Sequence, residues 1–114
     1  MLSMSSKPLT DIVVKVCKDK DEKDEKELII EKDLVVSINM GAEGTELNIK
    51  APKSKIDKFM QFFAENENKM LRLSVKTSQE DILEYYSGST YLLIEGLGVL
   101  EGDPANLILY LNYL

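Results

Sequence analysis

The chain has 114 residues, 44% of them hydrophobic, with 14 basic against 20 acidic residues, no histidine and a single cysteine. That is enough apolar material for one small core. A net charge of −6 disfavours a general binder of phosphate backbones, and one cysteine without histidine excludes both an internal disulfide and a tetrahedral zinc site.

Residues 1–9 read as a flexible terminus without the apolar core of a signal peptide, and 10–114 as a single domain. Asp11 to Lys18 alternates, with Ile12, Val14 and Val16 on one side, and predicts a first strand. Cys17 falls in that run as a small buried thiol with no neighbouring base to activate it. Asp19 to Glu27 has no apolar residue and reads as a solvated loop. A calcium loop starting at Asp19 fails, because its fifth, sixth and twelfth positions are Lys23, Asp24 and Ile30. Leu28 to Met40 predicts one long bent strand, or two short ones hinged at Glu31, Lys32 and Asp33. A turn at Gly41 to Gly44 leads into a strand from Thr45 to Ala51, with Leu47 and Ile49 inward.

After Pro52, Ser54 and Asp57 have the spacing of a capping box, and Ile56, Phe59, Met60 and Phe63 form the apolar face of a helix ending at Asn66 to Asn68. Met70 to Lys76 alternates again as a strand. A second helix is expected from Thr77, capped with Glu80, carrying Ile82, Leu83, Tyr85 and Tyr86 on its apolar side and closed at Ser87 to Ser89 around Gly88.

Tyr91 to Leu114 is the longest apolar run, broken by Glu95, Glu101 and Asp103. Read as a hairpin, it has strands from Tyr91 to Glu101 and from Leu107 to Tyr113 joined by a type I turn at Asp103 to Asn106. Read as a helix start, Asp103 is the N-cap and Pro104 the first helical residue. Gly96, Gly98 and Gly102 favour the hairpin, since in strands glycines mark bulges or close backbone approach. The expected fold is α+β, a mainly antiparallel sheet of five or six strands with two helices in the order β-β-β-α-β-α-β-β.

Chemistry is sparse. Without histidine the commonest general base and metal ligand are missing, no serine elbow occurs, and no cofactor is expected. Gly96, Gly98 and Gly102 do not have dinucleotide-loop spacing. Glu95 and Glu101 are the carboxylates a two-acid mechanism would use, set against the plainer reading of acids on the wet side of a strand.

The segment Gly98-Val99-Leu100-Glu101-Gly102-Asp103, followed by Asn106-Leu107-Ile108-Leu109, resembles the first conserved segment of Sm-like proteins, with a shorter turn. That resemblance implies RNA-base contact by Asp103 and Asn106, where the turn reading gives them to the backbone.

The expectation from sequence is a non-catalytic cytoplasmic protein-binding module of the immunity, inhibitor or adaptor kind, with an Sm-like nucleic-acid binder and a carboxylate enzyme as alternatives. The partner is another protein, plausibly basic. The surplus of apolar residues in the last run also suggests a homodimer, with Leu109, Tyr110, Leu111 and Tyr113 as contact residues.

Overall fold

The computed structural model describes residues 4–6, 8–17, 24–75 and 91–113. Among them eight strands form one antiparallel sheet: β1 (Met4–Ser6), β2 (Ile12–Cys17), β3 (Asp24–Ile30), β4 (Val35–Met40), β5 (Gly44–Ala51), β6 (Met70–Ser74), β7 (Leu92–Leu100) and β8 (Ala105–Tyr113), in the spatial order β1-β4-β5-β8-β7-β6-β2-β3. One α-helix, α1 (Lys53–Glu65), follows β5.

The antiparallel α+β expectation holds, but the sheet is larger than five or six strands. Two additions account for the difference. Leu28 to Met40 splits into β3 and β4 at a 3₁₀ turn over Lys32–Leu34, and Met4–Ser6, expected to be loose, pairs with Met40 to Ile38 of β4. The predicted charged loop is shorter than expected, because Asp24 to Glu27 already belong to β3 and pair with β2; strand pairing there overrides the polar composition. Residues 19–23 and the predicted second helix lie outside the described residues.

The side-chain pattern explains the strands. In β2, Ile12, Val14 and Val16 are buried; in β5, Leu47 and Ile49; in β8, Leu107, Leu109 and Leu111. All belong to a single core cluster with Ile56, Phe59 and Phe63 of α1. Eight strands about 4.8 Å apart span roughly 34 Å, while a helix is only about 10 Å wide. α1 packs against β5 and β8.

The helix start departs from the predicted capping box. Pro52 is the N-cap and offers no side-chain bond; instead Asp103 Oδ1, from the connection between β7 and β8, accepts a hydrogen bond from the Lys53 backbone N–H at 3.3 Å. A carboxylate at that end also suits the helix dipole. The far end is closed by Asn66, fully buried, whose Nδ2 donates to Phe62 O at 2.7 Å.

The last run is a hairpin, not a strand followed by a helix. Its register runs from Leu92↔Tyr113 to Leu100↔Asn106, with a bulge between Ile94 and Gly96. The connection is wider than the expected four-residue turn: it covers the residues between Leu100 and Asn106, its Asp103–Pro104 bond is cis, and Gly102 has φ of 153°.

Candidate functional site

The sheet does not close evenly. Between β2 and β6 the ladder is continuous over five pairs, from Val13↔Ser74 to Cys17↔Met70; among the described residues β6 meets β7 at Leu71↔Leu92. Beyond that pair, the edge of β7 facing away from β8 has no strand beside it among the described residues. Two other edges exist, on β1 and β3. Natural sheets guard edges by brevity or charge: β1 has three residues, and β3 begins Asp24, Glu25, Lys26, Glu27. By contrast β7, LLIEGLGVL, has neither lysine nor proline.

Exposed apolar side chains gather along this hairpin. Leu97 is 37%, Leu100 63% and Tyr110 42% exposed, and Ile94 and Val99 are only partly buried against the core. Leu97 lies opposite Leu109, and Val99 opposite Leu107, so both share the inner face with fully buried partners. Among the described residues no strand lies beside them on the β7 edge to cover that side.

The outer face is built from cross-strand rows. Asn39 of β4, Glu46 of β5, Tyr110 of β8 and Gly96 of β7 are successive opposite partners, and so are Ser37, Asn48, Ile108 and Gly98. Residues directly opposite in a ladder point to the same face. The Tyr110 ring leans over the first glycine: a Cβ added at Gly96 would lie 3.6 Å from Tyr110 Cδ2, whereas one at Gly98 would meet nothing within 4 Å. The two glycines leave bare backbone at two successive outward positions of β7, before the outward Leu100.

Beside this face is a cleft of about 420 Å³ whose lining includes Asn39, Glu43, Glu46, Glu95, Tyr110 and Asn112. Three of these are carboxylates, and no lysine or arginine is among the described residues that line it. Asn39 Nδ2 donates to Glu46 Oε1 at 3.5 Å, which orients the carboxylate in the row.

The structure separates the residues singled out from sequence. Leu109 and Leu111 are 0% and 1% exposed, so they serve the protein's own core and are not available as contact residues. Tyr110 is accessible. Tyr113 is half-buried, its hydroxyl 3.3 Å from Thr45 Oγ1 and its N–H donating to Glu43 O at 3.1 Å. Of the apolar residues that suggested a second copy, Leu92, Leu107, Leu109 and Leu111 are buried in the chain's own core.

Glu95 sits at the β7 bulge and Glu101 just past the strand's far end. Six residues of extended chain part them by roughly 20 Å, against the roughly 5–9.5 Å that paired glycosidase carboxylates need. Asp103 is tied to the start of α1, while Asn106 stands in β8 opposite Lys50 and Leu100. Their positions are those of fold elements. Cys17 is buried, and no group of three or more potential metal ligands occurs among the described residues.

No protein-family model, no curated protein and no solved structure matches the chain. Leu97 did not stand out in the sequence, because its exposure depends on what lies beside the edge of β7, whereas Leu100 faces outward opposite Asn106. The one local signal was the pair Gly96 and Gly98, which marks a strand interrupted on its outer face.

Proposed function

We propose that this protein is a non-catalytic protein-binding module that takes up its partner as an added strand on the free edge of β7. The observation that carries the reading is the long, glycine-containing edge from Glu95 to Leu100, flanked by exposed Leu97 and Leu100 and unguarded by lysine or proline. Strand addition supplies affinity through main-chain hydrogen bonds and specificity through alternate side chains. An inhibitor, immunity or adaptor role uses the same surface, and a cytoplasmic setting accords with one cysteine held reduced in the core. No helix among the described residues is long and apolar enough to cross a membrane.

The test is a pull-down from the native host with wild type and with a Leu97→Lys/Leu100→Lys double variant, followed by amide exchange on the recovered complex. A partner that only the wild type retains, with slowed exchange from Glu95 to Leu100, is the expected result. Equal retention by a folded double variant, or protection confined to β1 or β3, would refute it.

A further inference from the structure

Resting on that reading, we infer that the strand added to β7 carries an arginine or lysine at the position opposite Gly96, its cation lying across the glycine toward Tyr110, Glu46 and Glu95. The row Asn39, Glu46, Tyr110, Gly96 continues, one strand further out, into the partner. At Gly96 there is no side chain to stop a long one from folding inward over the sheet. The first surface it reaches is the Tyr110 ring, already within contact distance of the glycine; the next is the cleft lined by Glu43, Glu46 and Glu95. An aromatic face with carboxylates behind it suits a cation on a long aliphatic stem.

A second copy of this chain fits the edge less well. Its β7 contains no lysine or arginine to supply the cation. Antiparallel pairing of the segment Glu95–Leu100 with its twin sets Glu95 opposite Leu100 and brings no positive charge to the carboxylates of the cleft. The occupant is therefore a foreign strand with outward basic character, which agrees with the acidic balance of the whole chain.

The probe is a short fluorescein-labelled peptide of alternating threonine and valine with one arginine at its central outward position, beside a twin with methionine there. Binding is followed by polarisation and located by amide shifts in ¹⁵N-labelled protein. One ring contact and one or two partly exposed ion pairs predict that the arginine peptide binds about tenfold tighter at low salt. That advantage shrinks toward about twofold near 0.5 M salt.

Gly96→Leu, whose Cβ would stand in ordinary contact with the movable Tyr110 ring at 3.6 Å, and Glu46→Gln each reduce the advantage and leave the methionine twin within about twofold of its wild-type affinity, since neither alters the strand ladder. Equal binding of both peptides with shifts on β7 overturns the cation seat and leaves strand addition standing. Shifts on β1 or β3, or no binding by either peptide, overturn both. A dimer in light scattering whose own β7 amides are protected assigns the edge to a second copy and overturns the inference.

Discussion

Gly44 opens β5 opposite Asn112 of β8, and replacing it by alanine is the sharpest test of how closely those strands approach. The added Cβ would stand 2.0 Å from the Leu111 carbonyl oxygen, 3.0 Å from its carbon and 3.1 Å from Asn112 Cα. All three are backbone atoms, so no rotamer change relieves the overlap. Restoring ordinary contact, about 3.5 Å, requires the strand ends to part by about 1.5 Å. That movement strains the Tyr113 N–H to Glu43 O bond, the Gly41 N–H to Gly44 O bond and the Thr45 to Tyr113 hydroxyl contact. At about 1 kcal/mol each, losing all three costs about 3 kcal/mol. For a domain of this size that lowers the melting temperature by about 12 °C. Gly98→Ala is the internal control: open space above it predicts a stability change between zero and a gain of about 1 kcal/mol. Urea and thermal denaturation of both variants measure the difference. A Gly44→Ala protein within about 0.5 kcal/mol of wild type would refute the close approach, since overpacking normally costs about 1–3 kcal/mol.

Leu109→Lys buries a charge at a fully enclosed core site and is expected to abolish cooperative unfolding, seen as loss of the thermal transition; a folded variant would place Leu109 at the surface. Asp103→Ala removes the acceptor for the Lys53 N–H and is expected to cost about 1 kcal/mol in urea denaturation, a typical loss for a helix-terminus cap, with no change in weak RNA retention at low salt. A stability-neutral Asp103→Ala that loses RNA binding would reinstate the base-pocket role implied by the Sm-like resemblance.

Much of the fold was legible because its strands alternate cleanly. Ile12, Val14 and Val16, Leu47 and Ile49, and Leu71 and Leu73 each declare a buried face at period two, and α1 declares its own through Ile56, Phe59 and Phe63. What the alternation could not express is how far one strand runs beside another. Among the described residues β6 pairs with β7 at Leu71↔Leu92 and no strand lies beside Leu97 on the side away from β8, a matter of reach that no residue type announces. Tertiary reach also misled the helix start. Ser54 has the right chemistry for a cap, but Asp103, some fifty positions on, occupies that place. Leu109 and Leu111, expected as contact residues, are buried for a related reason: a run apolar on both faces does not say which face the core covers.

The remaining puzzle is Gly98. A strand glycine loses stability relative to alanine, by roughly 0.5–1 kcal/mol, unless a special conformation or a close neighbour requires it. Gly44 has its neighbour in Leu111 and Gly96 has the Tyr110 ring; Gly98 has neither, nor does it have positive φ. Among the described residues it is a cost without a return. A strand added to the β7 edge supplies the missing reason, because the side chain opposite Gly98 can then settle onto bare backbone and reach Ile108 across it. Gly98→Val should accordingly stabilise the free protein while weakening capture of the alternating peptide. If it stabilises the fold and leaves capture unchanged, the glycine has no role in binding, and the open outer face of β7 ceases to be an argument for a partner.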